Sequence, residues 1–216
     1  MREADFEAMC EGAAVRRLVW LEGYWQSPRY FSSITSEIAR ELAVVSPLSE
    51  NSMAVHKEIL ATNAVCLHVR QMHGAHHNFN APPPARIPQL PFSYYEEAVE
   101  RLVARERQPT FFCFADNFEW IRERWKFPYP IRFVERDLPR ERAYEDIALM
   151  SSCRHFVVGN STFSWWGAWL SRSSDKYVVA PSNLGAVPWG SEPALFPKDW
   201  DILDIHDVTN SRVQSH

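Results

Sequence analysis

The stretch FVVGNSTFSWWGAWLS, Phe156 to Ser171, decides how the chain is read. Phe156-Val157-Val158 is a short apolar run, Gly159-Asn160 is a turn signal, and Ser161, Thr162 and Ser164 open a segment rich in tryptophan. This order predicts strand, turn, helix. Thr162, Trp165, Trp166 and Trp169 share one helical stripe, and Phe163, Trp166, Gly167 and Leu170 a second, so the helix is expected to be buried all round. The first turn of a helix has N–H groups without partners and a partial positive charge, so it can hold an anion without a charged side chain. The hydroxyls of Ser161, Thr162 and Ser164 would add donors. The same residues fit ordinary capping by Ser161 or Thr162, and both readings stay open here. Asn160-Ser161-Thr162 is also a glycosylation sequon, but a turn entering a buried helix is a poor acceptor.

Outward from this stretch, strand and helix signals alternate. ITSEIARELAV, with Ile34, Ile38, Leu42 and Val45 in near-helical register, predicts a helix, and NAVCLHVR (Asn63 to Arg70) a buried strand. The proline-rich segment after Arg70 is a long loop. SYYEEAVERLVARE reads as a helix opened by a capping box from Ser93 to Glu96. TFFCFA is a strand, DNFEWIRERW a helix capped by Asp116, IRFV a strand, RERAYEDIALMSSC a helix, and KYVVA a strand. The alternation predicts an α/β protein with a Rossmann-like, doubly wound parallel sheet, whose ligands lie beyond the carboxyl ends of the strands. That rule singles out the positions after Val69, Phe114 and Val158.

Each strand end carries candidate chemistry. His68 and Arg70 are two apart and share a strand face, with Arg70 at the lip. A guanidinium fork suits phosphate; the plainer alternative is an edge arginine and a satisfied core histidine. At the second end, capping explains Asp116, and facing a ligand would be a second role. Asp146 lies in the apolar stretch AYEDIALM and needs a partner there; a carboxylate can accept the paired N–H donors of guanine, although solvated helix aspartates are common. His73, His76 and His77 cluster in the loop, but no cysteine or carboxylate stands at ligand spacing, so no metal site is expected.

Composition narrows the classes. Twenty-three Lys and Arg against 27 Asp and Glu give a net charge of −4, so no overall field draws nucleic acid or an anionic membrane, and an anionic ligand must be held locally. Cys66, Cys113 and Cys153 adjoin apolar runs and, with Cys10, read as reduced thiols rather than a disulfide framework. No run of about 18 apolar residues marks a membrane span. The acidic start MREADFEAMCEG lacks a signal-peptide core, so the chain reads as soluble, with no visible address.

These motifs resemble glycosyltransferase family 11, the α-1,2-fucosyltransferases. The likeness runs from about Leu21 to Trp200, through LEGYWQSPRYF, CLHVR, SYYEEAVERL and FFCFADNFEW to DIALMSSCRHFVVGNSTFSWWGAWLS. It implies the nucleotide-binding half of a two-domain (GT-B-like) enzyme. That enzyme transfers fucose from GDP-fucose to the 2-hydroxyl of a galactoside, with inversion and without metal or cofactor. It implies that Arg70 grips the β-phosphate, that His68 lies near the nucleotide and that Asp146 reads guanine. Asn160, Ser161, Thr162, Phe163 and Ser164 form the pyrophosphate turn, with Asp116 counted among the donor-binding residues. Family precedent includes membrane-associated Golgi enzymes and bacterial cytoplasmic ones.

Two departures qualify the resemblance. Where the family continues H-x-R with R-G-D-Y, this chain has Gln71-Met72-His73-Gly74, which removes an arginine and an aspartate; His73 is the candidate replacement base. The glycine-rich opening of the family's other half has no match. The expected organisation is therefore a mainly helical remnant of the acceptor side over residues 1–62 and a GDP-sugar-binding domain over 63–216. A catalytically impaired GDP-sugar-binding paralogue is the alternative.

Overall fold

Six parallel strands form one sheet in the order β3-β2-β1-β4-β5-β6. The computed structural model describes residues 27–71, 89–136, 138–182 and 195–205. The strands are β1 (Asn63–Val69), β2 (Pro109–Ala115), β3 (Ile131–Phe133), β4 (His155–Val157), β5 (Val178–Pro181) and β6 (Asp201–Leu203). Helices α1 (Thr35–Glu41) and α2 (Glu50–Leu60) precede β1. The connections carry α3 (Phe92–Arg105), α4 (Phe118–Arg124), α5 (Tyr144–Ser152) and α6 (Thr162–Leu170). The expected Rossmann-like doubly wound arrangement is therefore present, with the strand order of dinucleotide-binding sheets.

Both faces of the sheet are covered, which is why its strands read as unbroken apolar runs. Along β1, Ala64 and Cys66 join Phe112, Phe156, Leu149, Met150 and Trp165 on one face. Val65, Leu67 and Val69 join Tyr94, Tyr95, Leu102 and Phe111 on the other. Helix α2 adds Val55 and Ile59 to the first face, and α3 and α4 cover the second. Helices α5 and α6 approach closely: a Cβ on Gly167 would lie 2.9 Å from Met150 Cβ, so a side chain there would push the two helices apart.

Several local expectations are corrected. The tryptophan helix α6 is not buried all round: Ser164, Trp165, Gly167 and Ala168 are buried, while Phe163, Trp166 and Trp169 are half-buried and Thr162 is exposed. Its far end is closed by Lys176, whose Nζ donates to the carbonyls of Ala168, Trp169 and Ser171 at 3.0, 3.4 and 3.1 Å. A cation there also suits the negative end of the helix dipole. The periodic stretch around Ile38 yields only the short α1, which buries none of its residues, and Val45 is 92% exposed. Helix α3 starts at Phe92 behind an extended Pro91 and has no side-chain cap, so Ser93 lies inside the first turn rather than opening a capping box. Helix α2 and strand β6 were not foreseen. Of α2 only Ser52, Val55 and Ile59 are buried, and β6 has three residues, so neither carries a long periodic signal.

Candidate functional site

The sheet reverses its winding between β1 and β4. Their ladder ends at Leu67 opposite Val157, and beyond it the two chains part. After β1 the chain goes on to α3 on one face, and after β4 to α6 on the other. Such a parting opens a crevice at the carboxyl edge. Two contacts set its floor. Gly159 rests against β1, since a Cβ there would lie 2.8 Å from the His68 carbonyl oxygen and 2.9 Å from His68 Nδ1. Tyr94 of α3 donates its buried hydroxyl to the Val158 carbonyl at 2.6 Å. The opening turn of α6 is thereby held against the strand that ends in Arg70.

Arg70 is anchored by Asp116. Its Nε lies 3.3 Å from Asp116 Oδ2, and Asp116 Oδ1 accepts the Gln71 N–H at 2.8 Å. The cap of α4 is Asn117, whose Oδ1 accepts from Trp120 N at 3.1 Å, which corrects the capping role expected of Asp116. One carboxylate thus fixes both the backbone after β1 and the guanidinium at its lip. Among the described residues neither Nη has a hydrogen-bond acceptor, and the side chain is 38% exposed. A two-pronged donor facing solvent beside a helix amino end suits a phosphate.

His68 is buried, and its Nδ1 has no hydrogen-bond partner among the described residues. Burial, and secondarily the Arg70 charge, pulls its imidazole down from 6.5 to about 3. The folded value lies below the unfolded one, so the unfolded chain binds the proton more readily. The stability is complete above pH 6.5 and is lost as the pH falls from there towards 3. Urea unfolding is expected to show a loss of about 1.4 kcal/mol per pH unit from this group below pH 6.5. His155, also lowered chiefly by burial, adds in the same sense. His68→Asn should flatten the slope by about one proton; an unchanged slope would show that His68 does not carry it.

In the turn, Ser161 is the cap of α6, its Oγ accepting from Phe163 N at 3.2 Å. Ser164 is buried and donates its hydroxyl to the Ser161 carbonyl at 3.2 Å, so that proton closes the turn instead of facing the crevice. Asn160 is buried and Phe163 is half-buried, which leaves Thr162 as the exposed hydroxyl.

Asp146 sits in the first turn of α5 and meets a partner that sequence reading missed. Arg136, from the segment after β3, donates Nη2 to Asp146 Oδ1 and Nη1 to Ser52 Oγ. Its side chain is 7% exposed. Burial raises the Asp146 carboxyl and Arg136 opposes the rise, with the net direction upward. Glu145 beside it is fully enclosed; burial raises it, but hydrogen bonds from Ser52, Ser49 and Arg142 outweigh this and bring it to about 2.

The profile of glycosyl transferase family 11 matches residues 5–204. The chain belongs to glycosyltransferase family 11. The family match begins ahead of Leu21, where the likeness was first read. Among curated relatives, the O-antigen biosynthesis glycosyltransferase WbnK of Escherichia coli is 30% identical over 133 residues, covering 61% of this chain and 43% of that protein. An Escherichia coli alpha-1,2-colitosyltransferase is 28% identical over 172 residues, covering 77% and 54%. A galactoside alpha-(1,2)-fucosyltransferase 1 of Leontocebus fuscicollis is 26% identical over 87 residues, covering 40% and 24%. The chain spans about half the length of the two bacterial relatives.

In this family 11 chain the crevice brings together His68, Arg70, Asp116 and the turn from Asn160 to Ser164. Asp146, in the first turn of α5, is held by Arg136 instead, and its charge adds to the rise that burial and Cys153 impose on the Cys66 thiol. His73, His76 and His77 lie outside the described residues, as do residues 1–26. A cavity of about 730 Å³ lies at the opposite edge of the sheet, lined by Leu42, His56, Leu60, Ser152, Arg154 and Ser171 among others. The switch of winding, the anchored guanidinium and the helix amino end favour the crevice over that cavity. The guanidinium and the helix end are groups that recognise an anion, so they decide. Gly159 was legible only as a turn, and Tyr94 and Arg136 gave no signal, because each acts on a residue outside its own segment. No helix among the described residues is long and apolar enough to cross a membrane.

Proposed function

We propose that the crevice binds GDP-fucose and that the chain takes part in metal-independent, inverting transfer of fucose to the 2-hydroxyl of a galactoside. The observation that carries this reading is the Arg70 fork, pinned through Nε and, among the described residues, without an acceptor at either Nη, on the strand against which Gly159 of the α6 turn rests at the winding switch. As the glycosidic bond breaks, the diphosphate gains negative charge. Donors already in place stabilise that charge without reorganising. Arg70, the first N–H groups of α6 and the Thr162 hydroxyl are such donors. Asp116 holds Arg70 in place, and Asp146 accepts from the guanine edge. Two of these relatives bear the names of α-1,2-transferases, one of colitose and one of fucose, which supports the linkage; the transfer assay decides the donor sugar. The acceptor hydroxyl needs a general base. His73 is our candidate.

A second reading, a GDP-sugar-binding paralogue without turnover, is favoured by one feature. At the position of the family's second arginine stands Gln71, buried, neutral, and with its amide 3.5 Å from the Leu90 carbonyl. Calorimetry with GDP and ADP, then transfer of labelled fucose from GDP-fucose to a galactoside, separates the readings. Binding with transfer supports the enzyme, and binding without transfer selects the paralogue. No preference for GDP over ADP overturns both. In the same assay Asp146→Asn is expected to erode the guanine preference by about 1–3 kcal/mol, the usual discrimination of a paired hydrogen bond to a base edge.

A further inference from the structure

We propose that Arg136 is a positioning residue for nucleobase selection, holding the Asp146 carboxylate so that one oxygen stays open to a guanine edge. The proposal rests on the reading of Asp146 as the base-binding group. A guanidinium this enclosed needs acceptors. Arg136 has the Ser52 hydroxyl and Asp146 Oδ1, while Glu145 Oε2 is at 3.6 Å. Glu145 does not depend on it, being held by Arg142 and by the hydroxyls of Ser49, at 2.7 Å, and Ser52. The two adjacent carboxylates therefore differ in kind. Glu145 is sealed and saturated. Asp146 is 35% exposed, and among the described residues its Oδ2 accepts no hydrogen bond.

This arrangement has a chemical consequence for selection. A carboxylate recognises guanine only while it is ionised, because the base offers N–H donors; a protonated carboxyl offers a donor of its own and tolerates adenine. Arg136 opposes the rise that burial imposes on the Asp146 carboxyl, and its hydrogen bond to Oδ1 fixes the orientation. The remaining groups around it do not replace that charge. Glu145 opposes ionisation, Arg142 is bound to Glu145, and β1 brings the Cys66 thiol. Helix α2 brings Ser52 and then His56, which lies 3.0 Å from Ser152 Oγ, and α6 has no ionisable side chain.

The test measures GDP and ADP binding by calorimetry between pH 5 and 8 for the wild type, Asp146→Asn, Arg136→Lys and Arg136→Met. Arg136→Met is expected to lower the GDP-to-ADP ratio at pH 7 by about tenfold or more, while ADP affinity stays within about threefold. Loss of the ratio should set in at a higher pH than in the wild type, and Arg136→Lys should restore the pH at which it sets in but only part of the ratio. A purely structural arginine would change both affinities together and leave the pH dependence of their ratio alone. If Arg136→Met does not fold, Arg136→Lys carries the test through its reduced ratio at unshifted pH. A wild-type ratio and pH profile in the Arg136 variants, beside a lowered ratio in Asp146→Asn, overturns the proposal alone. No effect in Asp146→Asn overturns the base-reading role first.

Discussion

Arg70→Ala is expected to weaken GDP binding by about 1.5–3 kcal/mol, the range for a hydrogen bond to a charged group, since Arg70 is part-exposed. The reasons are geometric. Arg70 stands at the end of β1 where the sheet switches winding, and Asp116 fixes its Nε at 3.3 Å. The fork therefore needs little ordering when a phosphate arrives, and less conformational entropy is lost on binding. Arg70→Lys keeps the charge but loses the planar pair of donors and the anchoring Nε, so it should recover only part of the affinity. Calorimetry with GDP measures both. Unchanged affinity in Arg70→Ala removes this residue from the site, and with it the observation on which the proposed function stands. Asp116→Asn is informative beside it: the Gln71 N–H still has an acceptor, so a loss of affinity there reports on the freed guanidinium.

The largest effect on stability is expected from Trp165→Ala, at about 3–5 kcal/mol. Trp165 is fully buried on the α6 face that meets the sheet. Its ring lies edge-on to Trp166 at 4.9 Å and parallel to Trp169 at 6.3 Å. It meets Trp200 at 5.7 Å, and its Nε1 donates to the Leu195 carbonyl at 3.0 Å. The side chain thus ties α6 to the segment that leads into β6. Domains of this size are stable by about 5–15 kcal/mol, so the substitution removes a large share. Trp165→Phe separates the two contributions. It keeps most of the ring and removes the donor from one half-buried carbonyl, for an expected cost of about 1–3 kcal/mol. Urea denaturation checks both; a Trp165→Ala variant as stable as the wild type would mean that α6 does not anchor the closing segment.

Much of the fold was legible because parallel strands covered on both faces are unbroken apolar runs. Asn63–Val69 and Pro109–Ala115 are of this kind, and both were read as strands. The helix amino end at Ser161 was legible from hydroxyl residues after a Gly-Asn turn. The misreadings arose where two residues competed for one local role. Asp116 and Asn117 both suit a helix cap, and Asn117 takes it because Asp116 is drawn to Gln71 and Arg70 across the strand gap. Ser93 and Pro91 both suit a helix start, and the extended proline wins. Ile34, Leu42 and Val45 repeat like a buried face, yet no core residue of the described chain covers them.

By itself the sequence determined the class of fold, the places where strands end, and the residue types gathered there: a histidine and an arginine after one strand, hydroxyls after another, an aspartate on the helix between. Those follow from periodicity and turn chemistry, which are local. Only the tertiary structure decided which of these groups are already committed and to whom. Asp116 belongs to Arg70, Asp146 to Arg136, and the Ser164 hydroxyl to its own turn. The reason is that a buried charge or hydroxyl must find a partner wherever the fold brings one, and for the charged pairs that partner lies on another element of the chain.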